Sequence, residues 1–369
     1  MEGAVAAAHR AAVRRRRRIG VLAVALIAAV LLSLAIGAVS VDPAAALAIL
    51  ASKLGLATPW GFSQQQEAVL LSIRLPRVVL GVMVGLGLGV AGAGMQALYR
   101  SPLADPALVG IGSGGALGAV LGIAIALLIS GGGTLTGIAG AAGATGILGT
   151  LLPPIAAVAG AFLASVLIYR VASASGRTVI AAMLLAGIAL NALFGAFTSL
   201  VVLAVRDPQL RDISFWTLGG LTGATWRAVI LVGVVAIPAL ALLWRRGPGL
   251  DALALGASTA AHLGIDVHRQ ARLVLWLIAV VVGVAVSQTG VIAFVALITP
   301  IAARRWLGAS ARSVVIGAAL LGATTLVLAD LVARTIVSPA EAPVGVIVAL
   351  VGAPTFLWLL TRERGALAR

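Results

Sequence analysis

Cysteine is absent from the 369 residues. That excludes disulfides and any thiolate metal site. Charge is scarce as well, at 10% of residues against roughly 25% in a soluble domain. Only 11 residues are acidic, and Lys53 is the sole lysine. No Gly-x-x-x-x-Gly-Lys-Ser/Thr occurs, so the chain holds no P-loop and cannot hydrolyse ATP by itself. The three histidines, His9, His262 and His268, all fall outside the apolar segments, and His-Glu-x-x-His is missing. An intramembrane metalloprotease therefore lacks its ligands, and an intramembrane serine protease lacks a base. No catalytic residue, metal ligand or cofactor is expected.

What the chain has is apolar length. It is 61% hydrophobic with a mean hydropathy of +1.15. Runs of about 20 apolar residues recur throughout, which is the length that crosses a bilayer as a helix. The sequence predicts an all-α polytopic membrane protein with about ten transmembrane helices. Apolar segments fall at 19–39, 68–98, 107–128, 151–172, 178–205, 226–244, 270–295, 298–308, 311–336 and 343–361, the eighth being too short to cross alone. The glycine-rich stretch 129–150 reads as a loop or a loosely helical cap.

The formal charge of +15 rests on arginines scattered between apolar runs, apart from Arg14 to Arg18. That run precedes an apolar stretch of about 21 residues, longer than the 7–15 of a cleavable signal. It reads as a topology signal rather than a nucleic-acid contact, with the N-terminus in the cytoplasm. On that topology 19 of the 26 basic residues lie inside, and the outer ones include Arg74, Arg77 and Arg334. The expected organisation is a basic tail at 1–18, a transmembrane domain at 19–361 and a short cytoplasmic tail at 362–369.

Several details bear on transport. Arg-x-x-Arg precedes an apolar run both at 74–92 and at 269–287, once from each side, as in an inverted repeat. Gly81, Gly85 and Gly89 recur every fourth residue with Gly92 close by, a spacing that lets helices approach. Pro102 and Pro106 predict a helix ending near Arg100 and another starting at Asp105–Pro106. Asn191 is polar at mid-helix, and Gln96 and Met183 also stand in apolar segments. An ion-coupled secondary transporter is the rival reading. It usually needs acidic groups at mid-membrane, and Asp330, one turn from Arg334, is the clear candidate, with a simple ion pair as the alternative.

The stretch "GMQALYRSPLADPALVGIGSGG" at 94–115 resembles the signature of the FecCD family, the permease subunits of ABC importers for haem, ferric siderophores and cobalamin. "RLPR" at 74–77, "LLAGIALNAL" at 184–193, "FWTLGGLTGATW" at 215–226, "LALGASTAAHLGIDV" at 253–267, "LADLVAR" at 328–334 and "APVGVIVALVGAPTFLWLL" at 342–360 follow in family order. The chain departs from the pattern at Ser101, at 290–297 and at Ile301, where Asn, a Gly-Pro run and His are usual. Residues 206–226 resemble the haem branch most.

The resemblance implies a type II ABC importer permease fold in a bacterial inner membrane. It implies a homodimer, two ATP-binding-cassette subunits, a soluble substrate-binding protein and no nucleic-acid partner. It implies alternating access with haem as cargo, then ferric siderophore, then cobalamin. Segment 250–268 becomes the loop that couples to the ATPase, through Leu255, Gly256, Ala260, Leu263 and Gly264. Arg74, Arg77 and Arg334 become contacts for glutamates of the binding protein, the alternative being anchorage to membrane lipid. Gln96, Met183 and Asn191 become candidates for the translocation path.

Overall fold

The computed structural model describes residues 2–37, 43–53, 55, 61–129, 147–172, 180–204, 218–337 and 340–367. Most of the glycine-rich stretch, and residues 205–217 with much of the haem-branch resemblance, lie outside these.

Every regular element among the described residues is a helix. The helices are α1 (Glu2–Ala35), α2 (Pro43–Lys53), α3 (Gln64–Val69), α4 (Leu75–Tyr99), α5 (Ile111–Ile129), α6 (Ile147–Ala172) and α7 (Ile180–Ala204). Then come α8 (Trp226–Arg245), α9 (Gly247–Ala254), α10 (Ala257–His262), α11 (Val267–Thr289), α12 (Val295–Leu307), α13 (Ala311–Thr335) and α14 (Val344–Leu367). Seven are long and apolar enough to span a membrane, α5 and α14 are shorter apolar helices, and α12 is the short eighth segment. Helix α1 runs unbroken from Glu2 to Ala35, through the basic stretch and into the first apolar segment. Likewise α14 continues past 361 to Leu367.

The packing repeats in two halves. In the first, α5 pairs with α6 and both meet α7; in the second, α12 pairs with α13 and both meet α14. The halves interlock crosswise: α4 lies on α12 and α13, while α11 lies on α5 and α6. This is the pairing that a duplicated four-helix unit produces, and α4 and α11 are the helices headed by the two Arg-x-x-Arg sequences.

In a bilayer, helices gain nothing by hiding apolar surface from lipid, so close contact must hold them together. The glycines supply it. A Cβ on Gly85 would fall on the carbonyl of Gly322, one on Gly89 on that of Ala318, and one on Gly92 on that of Ala296. In the other half Gly118 meets Ala156 and Gly160 meets Gly114 in the same manner. Large apolar side chains point outward instead, on α1, α7, α8 and α14, among them Leu185, Leu203, Val234 and Leu350.

Two connections differ from expectation. Helix α4 begins at Leu75 with Pro76 in its first turn, but no loop precedes it. Helix α3 feeds into it through a π-helical turn at Leu70–Arg74, where the Leu75 amide donates to Leu70 O. Pro76 has no amide to give, and the wider turn takes up the break. After α4, Arg100 adopts a left-handed conformation (φ 51°), and α5 starts at Ile111, later than Asp105–Pro106. Asp105 caps the intervening turn, its Oδ1 accepting from Ala107 N at 2.7 Å and Leu108 N at 3.0 Å. Gly110, at φ +90°, separates that turn from α5.

Candidate functional site

The candidate docking and coupling residues gather at opposite ends of the bundle. At one end α1 finishes, α4 begins and α13 finishes. This brings Arg74, Arg77 and Arg334 together, but turned inward rather than out. Arg77 Nε donates to Asp330 Oδ1 at 2.9 Å and Oδ2 at 3.2 Å, and its Nη1 donates to Glu341 Oε1 at 3.0 Å and Oε2 at 2.9 Å. Asp330 also holds Arg334 in an ion pair at 3.1 Å, so the ion-pair alternative for this acid is the one observed. Arg334 Nη2 reaches Ser33 Oγ at 2.6 Å and Ser33 O at 3.1 Å. Arg74 Nη1 reaches Leu34 O at 2.8 Å and Ala35 O at 3.2 Å.

Two of the three arginines thus cap the last carbonyls of α1, which have no partner within their own helix. The side chains of Arg77 and Arg334 are 7% and 8% exposed. The expectation of open rim charges is corrected in that respect. Burying a guanidinium is costly without a carboxylate and full hydrogen bonding, and the two acids and the α1 carbonyls meet that need. Glu341 is what the sequence reading missed. Its signal was faint: the chain has only four glutamates, and this one stands just past the helix that carries Asp330 and Arg334.

At the other end lie α9 and α10. Leu255 and Leu263 are exposed at 70% and 63%, whereas Ala260 is fully buried. Gly256, at φ +117°, is the hinge between the two short helices, and Gly264, at φ +78°, joins α10 to α11. Nothing lies within 4 Å of a Cβ built on Gly264. A cleft beside it is lined by Arg245, Arg246, Asp266 and Arg269. Helix α9 is tied to the bundle through Asp251, whose Oδ1 accepts from Ala311 N at 2.7 Å at the start of α13. Arg312 lies over the Trp244 ring at 5.3 Å. Arg18 donates to Trp306 O at this same end, so the N-terminal basic run and the α9–α10 pair share one side of the bundle.

The path candidates are dispersed. Gln96 Nε2 donates to Leu297 O at 2.9 Å, while its buried Oε1 has no hydrogen-bond partner. It borders a cleft of about 140 Å³ together with Arg100, Ser101, Asp251 and Arg304. Asn191 pins the start of α5: its Nδ2 donates to Ala107 O and Leu108 O, and its Oδ1 accepts from Ser113 Oγ at 2.7 Å. Met183 belongs to α7, but its side chain lies outside the described residues.

The model of the FecCD transport family matches residues 25–362. The chain belongs to this family. The hemin transport system permease HmuU of Yersinia pestis is 40% identical over 324 residues, which span 85% of this chain and 90% of that one. The cobalamin import permease BtuC of Halobacterium salinarum is 38% identical over 305 residues, spanning 83% and 76%. Among solved structures, an inward-facing ABC transporter assigned to the metal-chelate type superposes with a TM-score of 0.74 at 26% identity, covering 94% of this chain and 99% of that one. The FecCD chain described here is therefore a multi-pass membrane permease of the ABC importer kind.

Proposed function

We propose that this permease carries haem, working as a homodimer driven by two ATP-binding-cassette subunits and fed by a substrate-binding protein. The observation that carries the cargo assignment is the 40% identity to a hemin permease across nearly the whole of both chains. Cobalamin is the second reading, supported by the 38% identity to BtuC. Ferric siderophore stands behind both.

The α9–α10 pair has the build of a coupling element. Two exposed leucines on short rigid helices offer an apolar contact, while Asp251 anchors the pair to α13. A partner that grips Leu255 and Leu263 could pass its motion to the bundle as a lever does. The cluster of Arg74, Arg77 and Arg334 at the opposite end is the docking place for the binding protein. Arginine suits a carboxylate partner because its fork makes two parallel hydrogen bonds.

Growth tests the cargo. A strain unable to make or import haem, given this permease with its ATPase and binding protein, grows on external haem. Restored import of cobalamin without growth on haem would shift the assignment to the second reading.

A further inference from the structure

The Arg77 guanidinium sits between two carboxylates that differ in freedom. Asp330, with a side chain 2% exposed, lies on the inner side and is shared with Arg334. Glu341 lies on the outer side with a side chain 37% exposed. Its remaining contact is weak, a bond of 3.3 Å from the Thr222 hydroxyl in the connection before α8. The neighbouring backbone is held, since Ala342 N donates to Ala333 O at 3.0 Å and Gly345 N to Gly219 O at 3.0 Å. Glu341 can therefore leave by rotating its side chain, without any loop opening.

We propose that Glu341 is an internal competitor for the binding protein: it occupies the outward edge of Arg77 until a carboxylate of the partner takes its place. The inference rests on the docking role proposed above for the arginines, and it accounts for how buried arginines could serve that role. Removing a buried guanidinium's partner outright is strongly unfavourable. Exchanging one carboxylate for another keeps the fork filled and the local charge unchanged, with Arg74, Arg77 and Arg334 beside Asp330 and one further carboxylate before and after. Such an exchange costs little, and it is selective because an uncharged partner surface cannot displace Glu341. Docking then also loosens the tie that Glu341 makes between α4 and the connection before α8.

The test measures docking of the purified substrate-binding protein from the same importer to the permease–ATPase complex in lipid nanodiscs. Glu341→Ala is expected to tighten docking about ten-fold, a change of about 1.4 kcal/mol. Thr222→Val, which leaves Glu341 in place but less steady, is expected to shift affinity the same way by a smaller factor. Arg77→Ala in the Glu341→Ala background should abolish the gain. Unchanged or weaker docking of Glu341→Ala, with Arg77→Ala still weakening docking, overturns the competition and leaves the docking role standing. If neither Arg77→Ala nor Arg334→Ala alters docking, the docking role falls and the competition with it.

Discussion

Asp330 shows how much one buried acid can hold. It is the common partner of Arg77 and Arg334, and with it gone Arg334 loses its ion pair and Arg77 keeps only Glu341. Asp330→Ala is expected to destabilise the permease by about 3–5 kcal/mol, seen as a lower melting temperature in detergent. Asp105 acts in the opposite sense. It is wholly buried in the connection between α4 and α5, its Oδ2 has no hydrogen-bond partner, and burial raises its carboxyl to about 6 in spite of the two backbone bonds. Since the folded value lies above the unfolded one, its contribution to stability is full below about pH 4 and is lost as pH rises through 6. Asn keeps the cap without the charge. Asp105→Asn should thus melt higher than the parent at pH 8, with the gap closing towards pH 5. Equal melting curves at both pH values would refute this.

Residue chemistry was legible in the sequence only where one type of group sufficed. The pairing of Asp330 with Arg334 follows from helical spacing. The burial of Arg74 and Arg77 does not, because Arg74 depends on α1 ending beside α4, 40 positions away, and Arg77 on acids 253 and 264 positions away. Asn191 looked like a path residue because it is polar within an apolar helix. Its partners are two backbone carbonyls of the turn before α5 and the Ser113 hydroxyl on α5, and nothing in its own helix announces them.

Among the elements, α4 carries the plainest wager. Gly89 faces a backbone carbonyl, whereas Gly87 faces only the Val281 and Ala236 side chains. Gly89→Val should sharply reduce folded protein, and Ala318→Gly should not rescue it, since the obstructing atom is main chain. Gly87→Ala should be mild and relieved by Val281→Ala. Recovery of Gly89→Val by Ala318→Gly would mean that α4 and α13 are less tightly apposed than described. The glycine spacing made this contact legible in sequence, and the apolar runs made the spans legible. The π-helical turn was not, because hydrophobic periodicity barely registers one extra residue in a turn. Nor was it legible that Gly256 separates α9 from α10 while Gly264 separates α10 from α11, both at positive φ. Gly264 has open space around it, but its φ of +78° would strain any side chain, so the cleaner variant is Leu263→Asp at an exposed position, expected to leave the permease folded while weakening ATPase association or uncoupling hydrolysis from transport. Normal coupled transport by that variant would remove the loop from the mechanism.

For the whole molecule, the two ends must face opposite compartments. The basic run of α1 and the α9–α10 pair share one end, and positive charge favours the cytoplasm. A cysteine introduced at Ala340 should react with an impermeant thiol reagent from outside, and one at Ser258 only after permeabilisation. The chain has no cysteine of its own to interfere. Family and fold were legible from ordered motifs, but cargo was not, because the chain is nearly as similar to a cobalamin permease, at 38% identity, as to a hemin permease, at 40%. The most direct test of ATP-driven haem import is uptake by proteoliposomes that contain the permease and its ATPase. ATP is enclosed within, and binding protein and haem are supplied outside. Haem should accumulate only with hydrolysable ATP, and excess cobalamin should not compete. Cobalamin accumulation without haem, or haem uptake indifferent to ATP, would contradict the account.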